Sequence, residues 1–127
     1  MLTLSIVAPN GGRIASGQKT LEIRSWRPPE WPLRDLLIVE NKVFLHGEDE
    51  VDADGVAVAL VDIEAVRPWQ PTELKAACWV EWVPDLWAWQ VSRVRPIGGA
   101  FRVAARRKLY EEPISDVLLD RLASLRG

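Results

Sequence analysis

Leu2, Leu4 and Ile6 alternate with Thr3 and Ser5, and this period of two predicts an opening strand. Pro9-Asn10-Gly11-Gly12 breaks it. Asn10 stands where it can cap a short helix over residues 11–16, with Gly17 just past its end. Lys19–Arg24 reads as a second strand, with Leu21 and Ile23 on one face and Thr20, Glu22 and Arg24 on the other. Lys19 nominally shares the Leu21 face, but it lies at the helix exit, where the pleat does not set direction. The prolines of Arg27-Pro28-Pro29-Glu30-Trp31-Pro32 predict a loop. Leu36–Glu40 is a continuous apolar strand. Gly55–Val66 carries the strongest strand pattern, and its apolar parity switches at Leu60-Val61, which predicts a bend or bulge there.

Further on, Pro71-Thr72-Glu73 opens a short helix with Thr72 as N-cap, and Trp79 and Trp82 fall three apart on one face of it. Pro84 ends that segment. Trp87–Ile97 is a strand with Trp87, Trp89 and Val91 on one face. Gly98-Gly99 predicts a turn, and Phe101–Tyr110 a strand continuing past it. Ser115 caps a C-terminal helix with Val117, Leu118, Leu122 and Leu125 at helical spacing. Several strands, short helices and no βαβ alternation argue against a doubly wound sheet. The expected class is α+β, mainly β: a small, mostly antiparallel barrel with short helices at its ends.

The 127 residues favour one domain, and 48% hydrophobic with 27% charged residues suits a globular chain. The single cysteine, Cys78, excludes an internal disulfide and suits a reducing compartment. No apolar run approaches the ~20 residues that span a bilayer. The first residues lack the basic start of a signal peptide. The expectation is a cytoplasmic protein with no membrane partner. A net charge of −2 argues against an indiscriminate nucleic-acid coat. The charge is segregated, however. Residues 48–54 hold five acids and no base, while residues 86–110 hold six bases and no acid: Arg93, Arg95, Arg102, Arg106, Arg107 and Lys108. A local basic surface is compatible with an acidic whole.

Most chemistries find no support. His46 and Cys78 alone cannot make the usual zinc site. Glu50-x-Asp52-x-Asp54-Gly55 imitates the start of a calcium loop, but its twelfth position is Val61. Cys78 has no triad motif around it, and neither Gly11-Gly12 nor Gly98-Gly99 has the flanks of a phosphate loop. No metal or cofactor is expected. What remains is Gly17-x-Lys19-x-x-Glu22-x-Arg24: two cations and a carboxylate within six residues, more ionic groups than a packing strand needs. The plain alternative is a surface strand with a weak exposed Lys19–Glu22 pair. The seven tryptophans allow either core wedges or a stacking wall for a planar ligand.

The chain resembles the ASCH domain, the activating-signal-cointegrator homology domain of the PUA-like superfamily. Gly17, Lys19, Glu22 and Arg24 match its G-x-K-x-x-E-x-R signature, followed by Trp26 in Arg24-Ser25-Trp26. The strands at Leu36–Glu40, Gly55–Ile63 and Ala88–Val91 with Arg95-Pro96-Ile97 look like later barrel strands of that family. The resemblance covers about residues 2–100 and is weaker over a C-terminal strand and helix at 101–127. It implies a PUA-like barrel of five or six strands over a single domain, 1–127, with the motif lining a cleft for RNA, other nucleic acid or nucleosides. In that reading Lys19, Glu22 and Arg24 recognise the ligand, Trp26 or Trp89 stacks on it, and Arg93, Arg95 and the segment to Lys108 meet phosphates.

One branch of the family hydrolyses the amide of N4-acetylcytidine with a Lys, a Thr and a distant Glu. Lys19 matches the first. Glu22 occupies the Thr position, Thr20 points to the opposite strand face, and Glu64, Glu73 and Glu81 are all candidates for the third. An amidohydrolase using Lys19 and Glu22 is thus the enzymatic alternative. A scaffold binding a protein partner through Trp79, Trp82 and Trp87 is the third.

Overall fold

The computed structural model describes residues 1–125. In chain order the elements are β1 (Leu2–Val7), α1 (Asn10–Ala15), β2 (Leu21–Arg24), β3 (Leu33–Asn41) and β4 (Val56–Pro68). A 3-10 turn (Pro71–Glu73) leads into α2 (Leu74–Ala77), followed by β5 (Trp87–Pro96), β6 (Leu109–Glu111) and α3 (Asp116–Ala123). The six strands form one sheet in the order β2-β5-β4-β3-β1-β6. Among the described residues only β1 and β3 run parallel, and every other pair is antiparallel. The sheet curls into a half-barrel, and its edge strands β2 and β6 do not pair. The expected mainly-β, barrel-like architecture is present, with a seam left open.

The continuous apolar run of β3 buries both faces, as such runs do. Leu36 and Ile38 point into the curl with Leu4, Ile6, Val61, Ile63 and Trp89. Leu37 and Val39 point outward, where α3 covers them with Leu118 and Leu122. Ile14 of α1, fully buried, plugs the inside of the curl. A third cluster joins Leu21, Ile23, Trp69, Ala77 and Ala88 under α2. The parity switch in β4 is a real bulge: its pairing with β5 slips between Leu60 and Asp62, and again between Ile63 and Ala65.

Four local expectations are corrected. Asn10 does not cap α1; it is the first helical residue, and its Oδ1 accepts from Arg13 at 3.2 Å. The helix's free N–H at Gly12 is met instead by the Glu40 carboxylate of β3, 2.7 Å away. Thr72 is not the N-cap of the second helix, because Gln70 and Glu73 form a reciprocal capping box around it. Val117 is exposed, while Leu118, Leu122 and the partly buried Leu125 pack on the sheet. Finally, Phe101–Tyr110 is not a continuous strand. Residues 101–105 make isolated bridges, Asp52 with Ala105 and Val56 with Arg102, and only Leu109–Glu111 is a strand.

Gly55 explains the close approach in that irregular stretch. A Cβ there would collide with the Val103 carbonyl oxygen and sit 2.8 Å from Val39 Cγ1. The Val103 N–H donates to Gly55 O at 2.8 Å across the same contact. With no side chain at 55, the segment lies flat on the sheet and carries residues 106–108 to the open seam.

Candidate functional site

Gly17 ends α1 in the left-handed region, φ 84°, and turns the chain into β2. The Lys19 N–H closes this turn on Arg13 O at 3.0 Å. The Lys19 side chain then runs inward, only 1% exposed, and its ammonium donates to the Ala77 carbonyl. Nζ lies 3.7 Å from Glu22 Oε1. That oxygen also accepts from the Ile23 N–H at 3.1 Å. The other oxygen, Oε2, lies 3.3 Å from Arg24 Nη2, which in turn donates to Ser5 O of β1 at 3.0 Å. The motif is therefore a relay: Lys19 behind, Glu22 in the middle, Arg24 in front, tying β2 to β1 across the seam.

Burial pushes the Lys19 pKa below its ordinary value; Glu22 and the nearby Cys78 oppose this, while Arg24 adds to it. One carboxylate shared by two cations leaves the relay net positive. Arg24 has five N–H donors in all, and only Nη2 is engaged among the described residues.

In front of the relay lies a cleft of about 320 Å³. Glu22 and Arg24 form its floor with Ser5–Val7 of β1, and Trp26 and Trp79 form one wall. Arg107 and Lys108 supply a cationic rim, with the Lys108 ammonium 5.7 Å from the Trp26 ring centroid, and the exposed Phe44 with Leu45 adds to the lining. Asn41, at the end of β3, also lines it. Its Nδ2 donates to Val43 O, while its buried Oδ1 has no partner among the described residues.

The sequence-derived site residues divide. Lys19, Glu22, Arg24 and Trp26 converge as expected, although Lys19 supports Glu22 from behind and does not line the cleft. Trp89 is corrected: it is fully buried, edge-on to Trp26 at 4.9 Å and 83°, and its Nε1 donates to Trp26 O at 3.3 Å. It buttresses the wall and presents no face to a ligand. Arg93 and Arg95 are corrected as well. They point to a different cluster, pairing with Asp35 at 3.0 and 2.6 Å and with Asp62 at 2.9 and 3.0 Å. The basic segment splits further: Arg102 lies 3.5 Å from Asp54 and Arg106 3.0 Å from Glu112. Only Arg107 and Lys108 of that run reach the cleft.

None of the three candidate distant carboxylates lines the cleft. Glu64 is held by Arg34 and Ser92, and Glu73 by a fork to Arg67 at 2.8 and 2.6 Å. Trp79 and Trp82 pack on Trp69, at centroid distances of 5.2 and 6.1 Å. Sequence reasoning missed Asn41 and Phe44. The apolar pair Val43-Phe44 beside His46, in a connector that turns acidic, is the available signal for the second.

Comparison with known proteins bears on the fold and the family. The chain superposes on the crystal structure of ASCH from Zymomonas mobilis with a TM-score of 0.50 at 16% identity, covering 98% of this chain and 94% of that one. The crystal structure of a tyrosine-to-phenylalanine mutant of the Zymomonas mobilis protein also matches, at 15% identity and a TM-score of 0.43, covering 98% of this chain and 80% of that one. Among curated proteins no match is found. The model of the ASCH domain matches residues 4–113, across both walls of the cleft and the relay beneath it, and the chain belongs to the ASCH domain family.

Proposed function

We propose that this chain binds RNA, or a nucleotide unit of it, in the seam cleft. The observation that carries this reading is the floor itself: a carboxylate, Glu22, held between Lys19 and the incompletely used guanidinium of Arg24. A base edge offers both donors and acceptors, and this floor answers both. Asn41 adds a buried acceptor. The Trp26 indole supplies a π face, over which the Lys108 ammonium now sits 5.7 Å from the ring centroid. A stacking base displaces that ammonium toward its own phosphate. The short cationic rim accounts for binding by a chain whose net charge is −2.

The amidohydrolase alternative draws only on the lowered pKa of Lys19. That ammonium is sealed behind Glu22 and committed to a backbone carbonyl, an arrangement that favours positioning over proton transfer with a substrate. Single-stranded RNA titrated at low salt is expected to quench tryptophan emission, and Trp26→Phe to remove most of the quench. No quench and no RNA retention in a filter assay would refute the reading.

A further inference from the structure

Phe44 is 64% exposed, unusual for a phenylalanine, and it stands at the mouth of the cleft. Its ring faces the His46 ring, with centroids 5.1 Å apart and planes 37° apart. Arg107, next to Lys108 in the chain, lines the same cleft. Its charge is felt at Glu50, yet it makes no ion pair within 4 Å among the described residues. Beyond His46 the connector turns acidic, with Glu48, Asp49 and Glu50. We infer that the Phe44–His46 pair is a second stacking platform. It takes the base next to the one held in the cleft, with Arg107 on the phosphate between them. The ligand is then a single-stranded polynucleotide read as two adjacent units, not a free nucleoside.

Three features carry this. An exposed aromatic pair beside a cationic rim is how proteins hold unpaired bases, since every base has a π face and every link a negative charge. His46 does not line the cleft and Phe44 is largely exposed, whereas Glu22 is buried, so a mononucleotide on Glu22 and Arg24 leaves the outer ring pair uncovered. Glu50, whose Oε2 accepts from the His46 N–H at 3.1 Å and whose charge is felt by Arg107, stands beside this pair and repels any phosphate past the first, which keeps the footprint short. An apolar protein partner would also cover Phe44, but it has no use for the Arg107–Lys108 rim.

The inference rests on the nucleotide-binding reading above, and one length ladder separates their fates. The probes are 5′-phosphorylated adenosine and cytidine mono-, di- and tetranucleotides, titrated against the full chain at low salt. Affinity is expected to rise about tenfold or more from one unit to two, the effect of one stacked base, and to change little from two to four. Phe44→Ala and His46→Ala are expected to flatten that rise, and both positions lie outside the core, so the variants fold. The dinucleotide is expected to show a log–log salt slope of about −0.7 to −1.4, one or two phosphates. Measurable binding without a rise from one unit to two, or a rise that survives Phe44→Ala, overturns the platform and leaves the cleft reading standing. Failure of every probe to bind overturns both.

Discussion

Two buried carboxylates, each ringed by cations, stand on this sheet, and they do opposite things. Asp62 of β4 is 1% exposed and saturated. Its Oδ1 accepts from Asp35 N at 3.0 Å and Arg95 at 3.0 Å, and its Oδ2 from Arg93 at 2.9 Å and Arg34 at 3.2 Å. Glu22 of β2 holds its partners loosely, at 3.1, 3.3 and 3.7 Å, and opens onto a cleft. A carboxylate with short bonds to both oxygens has no acceptor capacity left for a ligand. One with long contacts and a cavity in front still has it. Both carboxylates are buried among cations; satisfaction separates them.

The Asp62 cluster sits where the strands bulge, and two of its members take left-handed backbone, Asp35 at φ 54° and Arg93 at φ 45°. Such strain persists only where surroundings fix it, and the cluster supplies that fixing. The largest expected effect follows. Asp62→Asn leaves the arginines facing no buried charge and is expected to lower stability by about 3 kcal/mol, read from urea unfolding midpoints. Ligand affinity of the folded fraction is expected to stay. An unchanged midpoint would make the cluster ornamental and remove the contrast.

Acid tests the same point. Burial alone would raise the Asp62 carboxyl, but the Asp35 N–H and the Arg93 and Arg34 side chains outweigh it and hold the pKa below its ordinary value. The unfolded chain therefore takes up this proton first. The stability is present above the ordinary carboxylate range and is lost as pH falls from about 4 through the depressed native value. The gap in stability between wild type and Asp62→Asn should close over that window.

A mid-sized effect belongs to the paired arginines. Arg24→Ala is expected to weaken RNA binding about tenfold or more, the loss of charge-assisted bonds, with a small change in midpoint. Arg95→Ala is expected to do the reverse. Equal effects on both readouts from either variant would show the two clusters to be one kind of object.

The smallest effect is alkaline. Burial lowers the Lys19 pKa from 10.5, so the native protein sheds this proton before the unfolded chain does. Its contribution to stability is lowest below the native pKa and rises from there toward 10.5. As pH rises toward 10.5, wild type should gain slightly on Lys19→Met in thermal midpoint. A gap that is flat over this range would mean that burial costs this lysine nothing.

Much of the motif's geometry is legible in the sequence because it is local. Glu22 and Arg24 share a strand face by parity, and Gly17 marks the turn that frees Lys19. The bulge at Leu60-Val61 shows in the apolar parity alone. The second cluster is not legible, since Asp35, Asp62 and Arg93 meet only through the registers of three strands. For the same reason Arg93 and Arg95 look available for phosphates until the strands are paired. Trp89 escapes sequence reasoning because an alternating strand does not say which face closes over. Residues 101–110 have strand-like composition, but no neighbouring edge accepts them in full register.

The absent side chain at Gly55 reaches further than its own contact. The cationic rim of the cleft is not built on the motif strand; it belongs to a stretch of chain seated on Gly55 at one end and held to β1 through Ser5 and Leu109 at the other. A side chain at 55 would press on the Val103 carbonyl and strain the stretch that delivers Arg107 and Lys108 to the cleft. A lesion at 55 would present as a binding defect, and a search for its cause confined to the cleft would find every lining residue intact.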